Sequence, residues 1–163
     1  MPTTLDHYQA DLEVDGKHIQ LLLCDTPGIE ELDNVLHMMY PESHVIVLCF
    51  SVVVPYALSN IKEKWISEVR RFCPGVPIIL VGCQTDLRHD PSEIEELRRT
   101  NERPITFEEG VIFAQEIGAT RYLECSAKMG VGVHEVFRHA ARASLLNSPG
   151  DLDEPNKSRC IIQ

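Results

Sequence analysis

Strand-like and helix-like stretches alternate along this chain of 163 residues, which predicts an α/β fold: a mostly parallel sheet with flanking helices. Three observations carry that prediction. Val45 to Phe50 and Val76 to Gly82 are short, nearly unbroken apolar runs, as strands buried on both faces require. Between them Leu58, Ile61, Trp65, Val69 and Phe72 recur every three or four residues, giving a helix one apolar face. Loops at Asp25 to Gly28, Val81 to Asp86 and Glu124 to Lys128 each fall at a strand's carboxyl end, where α/β sheets bind ligands.

In chain order, Asp11 to Val14 and Lys17 to Asp25 flank Asp15-Gly16, a hairpin turn in which Gly supplies positive φ. Tyr122 to Cys125 is a further, shorter strand. Asp90-Pro91-Ser92-Glu93 places an N-cap, a first-turn Pro and a reciprocal Glu in order, and Thr106-Phe107-Glu108-Glu109 repeats the capping logic, with Gly118 as the stop. Val133, Val136, Phe137, Ala140, Ala141 and Ser144 form the face of a last helix. After Asn147 the composition turns to Ser, Pro, Gly and Asp, so the reading is a domain over 1–146 and a flexible tail over 147–163.

A formal charge of −10 argues against nucleic acid as a partner, since a phosphate backbone attracts a basic face. No apolar run approaches the ~18 residues a membrane-crossing helix needs. Met1-Pro2-Thr3-Thr4 is neither basic nor apolar and does not read as a secretory signal. The six cysteines form no C-x-x-C pair and lie mostly in apolar runs, so they read as reduced core residues.

Three loops fall where phosphate and base chemistry need them. Asp25-Thr26-Pro27-Gly28 is a D-x-x-G turn whose carboxylate can hold Mg²⁺ through water while the Gly28 N–H faces a γ-phosphate. Val81-Gly82-Cys83-Gln84-Thr85-Asp86 offers the Asp86 carboxylate to a guanine edge. Glu124-Cys125-Ser126-Ala127-Lys128 offers backbone N–H groups to the guanine carbonyl oxygen. One such loop is weak evidence, because ordinary turns carry Asp and Gly; all three in order are strong evidence. None of the nine glycines opens a G-x-x-x-x-G-K-[ST] loop, and Gly16-Lys17 has no partner Gly five positions earlier.

With these loops the chain resembles the Rho-type small GTPases over nearly its whole length. Glu63-Lys64-Trp65, Phe72-Cys73-Pro74 and Val76 to Gly82 match that family closely, and Leu87-Arg88-His89-Asp90 leads into a segment, about 90–101, similar to its extra insert helix. The resemblance implies a small GTPase fold of the P-loop-NTPase kind and a GTP/GDP switch acting in signal transduction, cytoskeletal organisation and polarity. It implies GTP or GDP and Mg²⁺ as cofactors. Asp25, Gly28, Gln84, Asp86, Ser126, Ala127 and Lys128 would bind the nucleotide, and Thr3 with Asp25 the metal. Thr3, Leu5, Asp6 and Tyr8 would form the effector segment, switch I, with switch II beginning at Asp25 to Gly28. Effectors, exchange factors, GTPase-activating proteins and a prenyl-binding dissociation inhibitor are the implied partners.

Departures from the family carry expectations of their own. Ile29 stands where the family places the Gln that orients the attacking water, so no catalytic residue is intact and hydrolysis is expected to be slow. Pro27 replaces the usual Ala, and Cys83-Gln84-x-Asp86 is a mild variant of the base-reading loop. Relative to the family the chain starts inside switch I, without the first strand, the phosphate loop and the first helix. The sheet is therefore expected to miss its central strand, leaving two inner edges unpaired, and the triphosphate to be bound poorly or not at all.

Cys160-Ile161-Ile162-Gln163 is a C-a-a-X box whose terminal Gln favours farnesyl transfer to Cys160. One lipid without a polybasic patch anchors weakly, so the expected location is the cytoplasm and, reversibly, the cytoplasmic face of the plasma membrane. Two readings stand: a Rho-type switch, or a prenylated non-enzymatic binding module that engages Rho effectors or regulators without cycling.

Overall fold

The computed structural model describes residues 5–26, 37–147 and 157–162. Asp6–Val14 (β1) and Lys17–Asp25 (β2) pair antiparallel from Asp6 opposite Asp25 to Val14 opposite Lys17. Asp15 and Gly16 turn the chain with φ of 53° and 76°, the left-handed pair that a two-residue hairpin favours. β1 is longer than its hairpin signal: Asp6 to Tyr8 are strand, not loop. An edge strand tolerates polar residues on its solvent face, and the length of β2 supplies their partners.

Val45–Ser51 (β3), Ile78–Cys83 (β4) and Arg121–Glu124 (β5) pair in parallel, and β3 and β4 are buried almost throughout, as their apolar runs require. Helix α1 is assembled from Ala57–Asn60, the π-helical turn Ile61–Trp65 and Ile66–Phe72. Pro91–Arg99 (α2), Phe107–Ile117 (α3) and Val133–Asn147 (α4) are the other long helices among the described residues. Alternate side chains of the sheet feed two cores. Ile46, Leu48 and Phe50 pack with Ile61, Ile66 and Val69 of α1 and Phe113 and Ile117 of α3. Val45, Val47, Ile79 and Val81 pack with Val136, Ala140 and Ala141 of α4.

The caps follow the sequence with one difference. Asp90 accepts from Ser92 N at 2.9 Å and Glu93 N at 3.2 Å, but its own N–H donates to the Leu87 carbonyl, so Glu93 does not reciprocate. At α3 the exchange is complete: Thr106 N donates to Glu109 at 2.9 Å and Glu109 N to the Thr106 hydroxyl at 3.2 Å, and Gly118 ends the helix at φ 71°. Hydrogen bonds from Arg103, then from the Thr106 backbone, hold the Glu109 carboxyl at about 2, against an ordinary 4.5. The stability it contributes is thus present above pH 4.5 and lost as pH falls towards about 2. Glu109→Gln is expected to flatten thermal stability across that window and to cost no more than about 1 kcal/mol at neutral pH, the pair being largely solvated. Melting curves between pH 2 and pH 7 check this.

The middle of the sheet corrects the sequence reading. Lys157–Ile162 (β6) lies between β2 and β3, parallel to both, so the strand order is β1-β2-β6-β3-β4-β5. Cys160 pairs with Leu23 and Val45, Ile161 with Cys24 and Ile46, and Ile162 with Asp25 and Val47. Thr26 fastens the strand end, donating to the Ile162 carbonyl from its hydroxyl at 2.7 Å and its N–H at 3.2 Å. The inner edge of β2 is paired over 20–25 and that of β3 over 45–47, and 157–162 is not part of a flexible tail. The physical reason is local: facing rows of unpaired N–H and C=O groups attract an extended apolar segment, and Cys-Ile-Ile is uncharged, with two β-branched residues. Cys160 joins the α4-side core and Ile161 the opposite one, both fully buried.

Candidate nucleotide-binding site

Because β2, β6, β3, β4 and β5 run parallel, their carboxyl ends share one edge of the sheet. That edge brings Asp25, the loop after β4 and the loop after β5 onto the same side of the molecule.

The half expected to read a base is held by a set of hydrogen bonds between two loops. β4 runs into Gln84, which takes the left-handed conformation (φ 60°, ψ 37°) and starts the 3₁₀ turn Thr85–Leu87. Cys125 N donates to the Gly82 carbonyl at 2.9 Å and Thr85 N to the Cys125 carbonyl at 3.3 Å, lacing the two loops together. Ser126 is buried; its hydroxyl donates to Asp86 Oδ1 at 2.5 Å and accepts from Met129 N at 3.1 Å. The Ser126 and Val131 backbones bond reciprocally, closing the 126–131 loop. Asp86 is therefore fixed through one oxygen, leaving the other for a ligand. Among the described residues the N–H groups of Ala127 and Lys128 have no acceptor, and both residues are exposed, as is Gln84. A guanine edge asks for a carboxylate facing its two N–H groups and an N–H facing its carbonyl oxygen; Asp86 and the 127–128 backbone carry groups of those kinds.

Behind this half stands a brace that sequence reasoning missed. Arg88 grips Glu124 through two bonds of 2.8 and 2.5 Å and donates from Nε to the Ile105 carbonyl at 3.1 Å. The Tyr122 hydroxyl donates to the same carboxylate at 2.7 Å. Burial alone would raise the Glu124 carboxyl, but the bonds from Arg88 and Tyr122 outweigh it and hold it below its ordinary value. The brace pins β5 to the residue that ends the 3₁₀ turn Thr85–Leu87. Its one available signal was position, since Arg88 and Glu124 each lie two residues from a base-reading side chain. Cys83 and Cys125 also face each other there, sulfurs 3.9 Å apart. The Cys125 hydrogen bond lowers the Cys83 thiol, but Cys49 and burial reverse this and push it up to about 12. All six cysteines are free, as expected.

The residue expected to hold the metal, Asp25, ends β2. Burial raises its carboxyl, and the Asp6 carboxylate paired directly across the hairpin raises it further. A cation would relieve both effects, and a water-mediated Mg²⁺ asks for little protein beyond one carboxylate. Among the described residues no group of three or more His, Cys, Asp or Glu is gathered for a metal. Thr3, Gly28 and Ile29 lie outside the described residues.

The effector positions that are described sit on and beside the edge strand: Leu5 half-buried against the core, Asp6 half-buried and Tyr8 exposed. Cys160 is the site residue whose surroundings least match its expected role, because it is buried in the sheet. Two clefts, of about 450 Å³ beside Leu58 and Phe113 and about 520 Å³ beside Pro77 and Leu146, lie away from the base-reading loops.

Residues 1–146 match the family model described as "Ras family". The chain is 54% identical over 164 residues to GTP-binding protein rho5 of Schizosaccharomyces pombe, covering 99% of this chain and 82% of that protein. It is 51% identical over 166 residues to GTP-binding protein rho1 of the same organism, with coverage of 99% and 82%. To GTP-binding protein RHO1 of Saccharomyces cerevisiae it is 48% identical over 169 residues, with coverage of 99% and 81%. On this likeness, and on a six-stranded, mostly parallel sheet with flanking helices, the chain belongs to the Ras family of small GTPases, among the Rho-type GTP-binding proteins.

Proposed function

We propose that this 163-residue chain reads the guanine base of GTP or GDP through Asp86 and the Ala127-Lys128 backbone, binds the phosphates weakly, and hydrolyses GTP slowly. The observation that carries the reading is the Ser126–Asp86 bond of 2.5 Å, which presets a carboxylate for a guanine edge beside unpartnered N–H groups. Weak phosphate binding follows from the sequence: none of the nine glycines opens a G-x-x-x-x-G-K-[ST] loop, whose backbone would supply the donors. Slow hydrolysis follows from Ile29, whose aliphatic side chain cannot orient a water. Mg²⁺ would sit at Asp25 with Thr3. Effectors would read the segment from Thr3 to Tyr8, and exchange factors, GTPase-activating proteins and a prenyl-binding dissociation inhibitor are the partners family membership suggests. Farnesylation at Cys160 would place the protein reversibly on the cytoplasmic face of the plasma membrane.

Titration with a fluorescent guanine nucleotide in Mg²⁺ tests this. A dissociation constant weaker than micromolar is expected, with GTP competing better than ATP and Asp86→Ala erasing that preference. Micromolar or tighter binding overturns the weak-affinity half, and equal competition by ATP overturns the base-reading half. The second reading, a binding module that engages effectors without cycling, is favoured by the same lack of a phosphate loop within these residues; it gains if guanine preference is missing.

A further inference from the structure

We propose that the segment ending in the C-a-a-X box has two mutually exclusive states: strand β6, inserted between β2 and β3 with Cys160 out of reach, and a released segment that accepts a prenyl group. The proposal rests on the lipidation reading of Cys160 given above. Its evidence is the conflict between that reading and the position of the residue.

In prenyl transfer the Cys160 sulfur bonds to C1 of farnesyl diphosphate as the C1–O bond breaks; diphosphate leaves and the thiol proton is released. A transferase that reads four terminal residues needs their backbone and side chains free. In β6 neither is. Cys160 and Ile161 are 0% exposed and pair with β2 on one side and β3 on the other. The Cys160 side chain belongs to a core with Leu21, Leu23, Val45, Val47, Ala140 and Ala141. Burial also pushes its thiol well above the ordinary range, so the nucleophilic thiolate is scarce there. Rotamer changes alone cannot expose the sulfur, because the backbone itself is laddered on both edges and α4 covers one face.

The exclusion works in both directions. A core packed to crystal-like density has no room for a fifteen-carbon chain on Cys160, so a farnesylated segment cannot re-enter the sheet. Lipid addition would therefore act as a latch that holds β6 out and leaves the slot between β2 and β3 open to another parallel apolar strand. Membrane attachment and completion of the sheet by this segment become alternatives.

The test compares farnesyl transfer, by farnesyltransferase and farnesyl diphosphate, to the folded full chain and to a peptide of residues 157–163. The folded chain is expected to react at least about a hundredfold more slowly than the peptide, because a strand paired on both edges opens rarely. Ser158→Pro, which removes a backbone donor outside the four-residue box, is expected to bring the chain towards the peptide rate. That variant risks general unfolding, so a second measurement on the parent chain decides: maleimide labelling of Cys160, located by mass spectrometry, in native buffer and in urea. Equal transfer to chain and peptide overturns the proposal, as does native labelling at the urea rate. If the peptide is not farnesylated the lipidation reading fails by itself, and labelling still decides whether the strand shields the thiol.

Discussion

Ile161→Asp is expected to abolish cooperative folding at room temperature. The Ile161 side chain is fully buried in a strand with partners on both edges, in the core that also holds Cys24, Tyr40 and Ile46. The substitution forfeits about 1.5–3 kcal/mol of apolar burial. It also forces a carboxylate either to ionise without a partner or to stay protonated without enough hydrogen bonds, at several kcal/mol more. A domain's entire stability is about 5–15 kcal/mol. Two further substitutions calibrate the effect. Ile161→Val keeps the shape and should cost about 0.5–1.5 kcal/mol. Ile112→Asp, on the exposed side of α3 where Ile112 is 64% accessible, should stay within about 0.5 kcal/mol. Urea unfolding followed by circular dichroism ranks the three. A melting point for Ile161→Asp within a few degrees of the parent would mean that residues 157–162 do not occupy the sheet.

Gly132→Ala should damage both stability and nucleotide binding. Gly132 has φ 74°, and a Cβ there would stand 2.2 Å from the Glu124 carbonyl oxygen and 3.2 Å from Cys125 Cα. The left-handed conformation alone costs a non-glycine residue about 1–2 kcal/mol. The clash adds more because both obstacles are backbone. Relief requires the 126–131 loop to move away from β5, taking Ser126 and its bond to Asp86 with it. A loss of roughly 3 kcal/mol in stability is expected, with about tenfold or greater loss of whatever guanine affinity the parent shows. Gly130→Ala separates the two causes. Gly130 also has positive φ (66°) but faces open space, so it should lose only the conformational part and retain the base-reading geometry. Similar losses for the two variants would argue against a backbone clash at Gly132.

Most of the sheet was legible because its determinants are local. Val45 to Phe50 and Val76 to Gly82 are apolar without a break, and a strand buried on both faces needs nothing else. Thr106, Glu109 and Gly118 marked a helix from end to end because capping is chemistry between near neighbours. Asp86 and Ser126 could be singled out by their places after two strands, and the structure brings them to 2.5 Å. Their support was not legible. Arg88, Glu124 and Tyr122 form a brace across 36 residues of chain, and charged residues near strand ends carry no mark of whom they face. The end of the chain is hard to read for a similar reason: Ser148 to Glu154 has the composition of a loop, while the apolar Cys160-Ile161-Ile162 that follows takes its strand only from the facing edges of β2 and β3.

The position of β6 also sets the order in which the molecule can be completed. Thr26 and Ile162 are bonded across 136 residues, so the middle of the sheet closes over nearly the longest separation the chain allows. During synthesis the β1–β2 hairpin and the β3–β4–β5 half-sheet are made first, each with an apolar edge facing outward, and the strand that joins them is the last of the six to emerge. Long-range pairing of this kind is slow to form, and exposed strand edges aggregate in the meantime. The nascent chain therefore spends its vulnerable period as two unjoined halves, and yield in a cell should depend on chaperones that hold those halves apart from other chains.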